Sequence, residues 1–161
     1  MAENAKTFMV EDGRIIFRNF AGKENLPYNR KGIRNFAIIL PEDVAEDMLA
    51  DGWNVKWPKP QPDGEIGDPF VRVEVRYDIR PPRVVLLTET TRTQLDEDSV
   101  ELLDWANIKT VDLIARGSNW TAADGKHGIK AYLQSLFVTI EEDALEKKYE
   151  IYENPPTDYN E

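Results

Sequence analysis

The 161-residue sequence contains no cysteine and only one histidine, His127. Disulfides and thiolate metal sites are therefore excluded, and any catalytic triad would have to use that single imidazole, which the sequence places in a Gly-rich loop. No stretch approaches the roughly 20 apolar residues that span a membrane, and the N-terminus lacks a signal-peptide run. These absences leave any metal site to carboxylates. Together with the chain length they favour one cytoplasmic domain without membrane contact, and we expect no catalytic residue, metal or cofactor in it.

Charge is distributed unevenly along the chain. The formal net charge is -10, yet residues 13–40 hold six basic side chains against one acid, Glu24. Four aromatic residues, Phe17, Phe20, Tyr28 and Phe36, lie among these cations. Guanidinium and ammonium groups bind phosphates, and ring faces stack on unpaired bases. This mixture predicts single-stranded nucleic acid as the partner.

The C-terminal end has the opposite charge. Residues 141–161 contain eight acids and two lysines, and Pro155 with Pro156 cannot continue a helix or a central strand. We therefore expect a domain over residues 1–149 and a flexible acidic tail over 150–161. The tail could serve solubility alone, compete with nucleic acid for the basic groove, or dock replication and recombination proteins. The residues predicted for docking are Glu153, Asp158 and Tyr159.

Strand signals dominate the sequence. Runs rich in β-branched and aromatic residues predict strands at 13–20, 33–40, 53–57, 70–77, 83–89, 108–116 and 129–140. Acidic starts and helical spacing predict two short helices, at 41–52 and 96–105, with Trp105 facing inward. A twisted antiparallel sheet of this size is expected to curl into an OB-like Greek-key barrel of five or slightly more strands, with a β-sandwich as the alternative.

Candidate binding residues are the cations and rings that share strand faces or lie in polar loops. In the first predicted strand, alternation places Arg14, Arg18 and Phe20 on one side. Each candidate also has a structural interpretation, because rings fill cores and arginines keep sheet surfaces soluble. The predicted nucleic-acid-binding residues are Arg14, Arg18, Phe20, Tyr28, Arg30, Lys31, Arg34, Trp57, Lys59, Arg72, Arg76, Trp120, Lys130 and Tyr132.

Two alternative functions stay open. A protein or carbohydrate interaction module would use the tryptophans for its partner and the basic row only as surface. A metal-dependent nuclease could use Asp98, Glu101 and Asp104, which recur every three residues and could hold Mg²⁺. However, acids at a helix start are stabilised by the helix dipole without any metal. The oligomeric state, including a homo-oligomer, is left open by the sequence.

Several segments together resemble a known family. They are RIIFRNFAGKENLPYNRKGIRNFAIIL, DGWNVKW, RPPRVVLLT, LDEDSVELLDW and GIKAYLQSLFVTI. Over about residues 8–150 they look like the small single-stranded DNA-binding proteins of tailed bacteriophages. The resemblance implies an OB-type fold and sequence-tolerant cover of single-stranded DNA during replication, recombination or repair in the host cytoplasm, without catalysis. Replicative single-strand binders often end in an acidic tail with a terminal aromatic that docks polymerase or helicase; Tyr159 is similar but is not the last residue here.

Overall fold

The computed structural model describes residues 6–141. Within this range the chain forms nine strands, one α-helix and one 3-10 helix. The strands are β1 (Thr7–Gly13), β2 (Ile15–Asn19), β3 (Arg34–Ile39), β4 (Val55–Lys56), β5 (Phe70–Val75), β6 (Arg83–Leu87), β7 (Arg92–Leu95), β8 (Ile108–Thr121) and β9 (His127–Ile140). Helix α1 spans Glu42–Asp51, and the 3-10 helix spans Val100–Asp104.

All nine strands belong to one sheet. The main strand order is β1-β8-β9-β5-β3-β2, with β4 paired to β5 and β6 paired to both β7 and β9. Strands β1 and β2 stand at opposite ends of this order, although only Arg14 separates them in the chain. Gly13 lies opposite Val111 of β8, and Ile15 lies opposite Ile38 of β3. The chain therefore passes from one end of the strand order to the other within two residues.

The expectation of a wholly antiparallel sheet is wrong, because β9 runs parallel to two of its neighbours. Val73 of β5 pairs with Ala131, and Val84 of β6 pairs with Leu136. The chain enters β9 through a hairpin with β8, so its direction relative to β5 and β6 is set by a crossover and not by a turn. Strand β9 is flanked by β8 on one side and by β5 and β6 on the other, which confirms its predicted central position.

The core lies beneath the inner face of this sheet. Phe20 and Phe36 stack with ring centroids 5.2 Å apart, and Trp53 meets Phe8 edge-on at 5.1 Å. Helix α1 adds Ala45 and Met48 to the buried set. Full burial of an apolar side chain stabilises the fold by about 1.5–3 kcal/mol, so the Phe20–Phe36 contact holds the end of β2 against β3 in a fixed position for the site described below.

Most predicted elements are present, with different bounds. Helix α1 ends where expected, because Gly52 adopts φ +107°. Strands β1 and β7 were missed, the 53–57 strand is reduced to Val55–Lys56, and β8 extends to Thr121. These differences arise where pairing with distant strands, and not local propensity, decides the conformation.

The second predicted helix is replaced by a turn and a 3-10 helix. The Asp96 carboxylate accepts hydrogen bonds from the backbone N–H groups of Asp98 and Ser99 and from the Ser99 hydroxyl, at 2.9–3.0 Å. The hydroxyl bond is the main cause that lowers the pKa of Asp96. Such local side-chain bonds compete with helix formation. The acidic start of this segment therefore builds a turn.

Candidate nucleic-acid interface

A bulge in β2 decides which of its side chains reach solvent. Ile16 pairs with Ala37 and Asn19 with Asn35, so β2 uses one more residue than β3 between these two pairs. The extra residue shifts the alternation of side chains by one position. Phe17 at the bulge has φ +54°, a left-handed conformation that costs a non-glycine residue about 1–2 kcal/mol. Its ring is 61% exposed and meets Phe70 edge-on at 5.4 Å.

The loop between β2 and β3, residues 20–33, is held at its base by asparagine side chains. The buried Asn29 amide donates to three loop carbonyls at 2.8–3.1 Å, and its oxygen accepts a 2.8 Å bond from Asn35. Asn19 exchanges two bonds with the backbone of Lys23, at 2.8 and 2.9 Å. Tyr28, which is 75% exposed, therefore projects from a fixed loop.

The end of the 3-10 helix is attached to β2 from two sides. The Arg18 guanidinium donates to the carbonyls of Leu103 at 2.8 Å and Ala106 at 2.7 Å. The Asp104 carboxylate accepts from the backbone N–H groups of Phe20 at 2.7 Å and Ala21 at 3.0 Å. Trp105 lies between these contacts in sequence, and its ring is 74% exposed.

Together these elements form a cleft of about 740 Å³, which we call the ring cleft. Its exposed rings are Phe17, Tyr28 and Trp105, and the Lys23 ammonium lies 4.9 Å from the centroid of the Trp105 ring. Its lining residues are Phe17, Arg18, Asn19, Lys23, Glu24, Asn25, Tyr28, Asn29, Asn35, Arg72, Asp104 and Trp105. Three rings and three cations thus converge on one solvent-open surface, supplied by β2, the β2–β3 loop, β5 and the 3-10 helix.

Next to the ring cleft lies a second group of charged and aromatic side chains, the central cluster, defined as Glu74, Arg76, Lys130 and Tyr132. Glu74 of β5 pairs in register with Asn35 of the ring cleft on one side and with Tyr132 on the other. Neighbouring strands lie about 4.8 Å apart, so the cluster begins one strand away from the cleft. The Lys130 ammonium is 5.3 Å from the centroid of the Tyr132 ring.

The sequence matches a model of the phage ssDNA-binding domain family over residues 2–158. The chain belongs to this family. Single-stranded DNA binding, which the charge and aromatic pattern predicts, is therefore its function. No curated protein matches the sequence.

Solved structures of a phage ssDNA-binding protein are similar to this family member in fold. The C-terminally truncated single-stranded DNA-binding protein from bacteriophage Enc34 has a TM-score of 0.53 at 12% identity, covering 85% of this chain and 87% of that one. The same Enc34 protein in complex with ssDNA has a TM-score of 0.51 at 12% identity, covering 85% of this chain and 88% of that one.

The phage ssDNA-binding domain brings some of the predicted residues together. Arg18, Tyr28 and Arg72 line the ring cleft, and Arg76, Lys130 and Tyr132 form most of the central cluster. Arg30 and Lys31 are exposed in the β2–β3 loop, outside the lining of the cleft. This subset of cations and rings, from separate β segments and the β2–β3 loop, thus lies on neighbouring parts of one surface, and its role in DNA binding stays a prediction.

Other predicted residues of the domain lie elsewhere. Arg14 lines a different cleft beside Asp68, Trp57 packs partly buried against the core, and Lys59 is exposed in the segment after β4. Arg34 donates to the Phe20 carbonyl at 3.1 Å and pairs with Glu97 at 3.3 Å. Its guanidinium is thus engaged within the protein. The tail residues Glu153, Asp158 and Tyr159 lie outside the described residues.

Two aromatic expectations for the domain are wrong, and a third is wrong only in location. Phe20 is 0% exposed and stacks on Phe36, because the bulge turns it inward and Phe17 outward. Trp105 faces solvent, because the segment that was expected to be an α-helix is a 3-10 helix ending at Asp104. Trp120 belongs to β8 and not to an open loop, and its ring lies against Gly128 of β9, but at 37% exposure it is as accessible as expected. His127 likewise begins β9.

Phe17, Lys23 and Trp105 line the ring cleft but are absent from the predicted site. Phe17 stands in a run that looks regularly alternating, so its signal is hidden by the bulge. Lys23 belongs to the basic window and could have been included on charge alone. No simple pattern marks Trp105 as exposed, since its orientation follows from the contacts of Arg18 and Asp104.

The hydrogen bonds of Asp104 explain why an acid stands at this position. Both oxygens accept backbone hydrogen bonds, and within residues 6–141 no group of three or more Asp, Glu or His side chains is arranged to hold a metal ion. We predict that Asp104→Ala lowers the free energy of unfolding by about 1.5–3 kcal/mol, the range for a hydrogen bond to a charged group. Urea unfolding monitored by circular dichroism measures this loss.

The matched control for this variant is Glu101→Ala, which removes an exposed carboxylate from the same 3-10 helix. Its stability should remain within about 0.5 kcal/mol of the wild type. Equal stability of the Asp104 and Glu101 variants would contradict the structural role of Asp104.

None of the helices in the described part of the chain is long and apolar enough to span a membrane.

Proposed function

We propose that this protein covers single-stranded DNA without sequence preference during phage DNA replication, recombination or repair in the host cytoplasm, and that it acts without catalysis or cofactor. The observation that carries the proposal is the ring cleft, where three exposed rings and three cations share one surface. Rings stack on any base, and cations contact the phosphates that every sequence has. The similarity in fold to the Enc34 protein that was solved with ssDNA supports the same function.

We further propose that the sheet is a five-stranded OB-like barrel with additions. The support is the strand order, in which consecutive β1 and β2 occupy the two ends and could act as one bent strand that closes the barrel. In that arrangement β3 and β5 are the second and third barrel strands, and OB-folds bind oligonucleotides on this face. Strands β4, β6 and β7 are then additions to the barrel.

In the proposed mechanism, bases stack on the rings of the cleft while cations hold the backbone. Arg72 is exposed at the cleft and has no ion pair within residues 6–141, so its guanidinium is available to a phosphate. Lys23 lies over Trp105 and can serve a phosphate beside a base stacked on that ring. Arg18 contributes chiefly by holding the segment that presents Trp105.

The domain boundary and further partners are also proposals. We assign residues 1–149 to the DNA-binding domain and 150–161 to an acidic tail that docks replication or recombination proteins. The support is the charge of the tail, which is opposite to that of the basic window at residues 13–40. Self-association would extend cover along a strand and is tested by sedimentation with and without DNA.

The test of this function is a titration of labelled oligo(dT) by fluorescence anisotropy across salt concentrations. Each phosphate neutralised on a single strand contributes about -0.7 to the slope of log K against log salt. We predict that Arg72→Met makes the slope less negative by about 0.7. Arg92→Met is the matched control. Arg92 belongs to β7 and lies over the Phe137 ring of β9, so this variant should leave the slope unchanged.

Absence of oligo(dT) binding by the wild-type protein at low salt would overturn the proposed function and favour the interaction-module alternative. An Arg72→Met slope equal to that of the wild type would instead remove Arg72 from the interface and leave the function in place.

A further inference from the structure

A buried acid lies beside the ring cleft that is proposed to bind a polyanion. Glu74 is 8% exposed, and its carboxylate is 2.7 Å from the Lys130 ammonium and 3.9 Å from the Arg76 guanidinium. It also lines a cleft of about 350 Å³ that adjoins the ring cleft through β3. A carboxylate at this place repels phosphate, so its position needs a physical explanation.

The two cations of the central cluster are both held by acids. Arg76 makes a two-point contact with Asp78, which is the main cause that raises the pKa of Arg76. Lys130 has Glu74 as its acidic partner. Burial opposes the charge of Lys130, but the hydrogen bond and the charge of Glu74 together raise its pKa above the ordinary value. Neither cation is free to neutralise a phosphate without leaving its acid.

Burying a carboxylate is costly unless it is paired, and removing one partner of such a pair leaves the other uncompensated. In the free protein Glu74 and Lys130 therefore satisfy each other. When a strand crosses this face, its phosphate competes with Glu74 for the same ammonium, and the carboxylate adds repulsion. The pair consequently lowers the net attraction of the face for DNA.

We propose that Glu74 limits the affinity of this protein for single-stranded DNA by withholding Lys130 from the phosphate backbone. This inference rests on the proposed function and adds a release mechanism to it. The strand is held by the ring cleft and Arg72, whereas the central cluster contributes a ring and little net charge. A protein that covers a strand must also leave it when a polymerase arrives, and a paired lysine makes departure faster than a free one.

The test is Glu74→Gln, which keeps the shape and an oxygen acceptor for Lys130 but removes the charge. We expect the slope of log K against log salt to become more negative by about 0.7 for oligo(dT), as one freed cation requires. Over the tenfold interval from 1 M to 0.1 M salt, this change in slope corresponds to about 5-fold tighter binding at 0.1 M. Glu11→Gln is the control, since it makes the same change in net charge on β1, in a different cleft, and should change neither quantity.

A second variant separates this mechanism from a purely structural role. The double variant Glu74→Gln/Lys130→Met should return the slope to the wild-type value, because the freed cation is gone. If Glu74→Gln fails to fold, the pair is replaced by Glu74→Met/Lys130→Met, since apolar replacement of a buried pair is often tolerated. The salt slope of this double variant should equal that of the wild type. A slope less negative by about 0.7 would show that Lys130 already contacts a phosphate in the wild type, and it would overturn the proposal.

The outcomes also distinguish the two proposals. A folded Glu74→Gln protein with unchanged or weaker binding overturns the role of Glu74, while oligo(dT) binding by the wild type still supports the proposed function. A wild-type protein that binds no oligo(dT) overturns both.

Discussion

Replacing both Tyr28 and Trp105 with alanine is expected to weaken oligo(dT) binding at least about 30-fold. Stacking of a base on an aromatic side chain is worth roughly 1–3 kcal/mol per ring, and two rings at the lower limit give this factor. The rings are 75% and 74% exposed, so little packing within the fold is lost when they are removed. Anisotropy of a labelled oligonucleotide is the appropriate measurement, because the variant lacks a tryptophan whose fluorescence could report binding.

The matched control keeps the rings. Tyr28→Phe with Trp105→Phe removes the hydroxyl and the indole but leaves two stacking faces, so most of the affinity should remain. A second control, Met9→Ala, removes an exposed apolar side chain from β1, in a different cleft, and should bind as the wild type does. Wild-type affinity in the double alanine variant, with an unchanged thermal midpoint, would show that the ring cleft is not the DNA-binding surface.

Most strands of this protein could be predicted, because their residue types and alternation are visible in the local sequence. Strand β5 occupies the segment FVRVEV, in which apolar and charged residues alternate. Strand β3 occupies RNFAII, which ends in an apolar run. The basic window could also be predicted, because six cations with interspersed rings are visible without any fold. The expected exposure of individual rings is confirmed for Tyr28, at 75%, and for Trp120, at 37%.

The orientation of the remaining rings depends on contacts that local sequence does not encode. One extra residue in β2 is enough to exchange the environments of Phe17 and Phe20, and that residue is specified by pairing with β3. The orientation of Trp105 depends on hydrogen bonds that Arg18 and Phe20, more than 80 positions away in sequence, donate to Leu103 and Asp104. A periodic pattern predicts faces correctly only while the register is regular.

Charge counting has a similar limit. Arg34, Arg76 and Lys130 count as three cations in the sequence, but the fold pairs them with Glu97, Asp78 and Glu74 respectively. Arg72 has no such partner in the described part of the chain. Only the tertiary structure therefore indicates which cations can neutralise DNA, and a salt slope estimated from composition would be too steep.

Alanine substitution of Phe20, compared with that of Phe17, gives the second large expected effect. Phe20→Ala should lower the free energy of unfolding by about 3–5 kcal/mol, because it removes a fully buried ring that stacks on Phe36. Phe17→Ala should cost far less stability, since that ring is mostly exposed, but should weaken oligo(dT) binding by about 1–3 kcal/mol. Urea unfolding and anisotropy at low temperature, where both variants are folded, measure the two quantities separately.

These neighbouring phenylalanines control for each other, because the same chemical change is made three residues apart in one strand region. The bulge predicts a stability defect without a binding defect at Phe20, and a binding defect with little loss of stability at Phe17. A regular strand would place Phe20 beside Arg18 on the binding face and would predict the reverse. A folded Phe20→Ala protein that binds weakly, beside a Phe17→Ala protein that binds normally, would therefore refute the bulged arrangement and with it the assignment of Phe17 to the ring cleft.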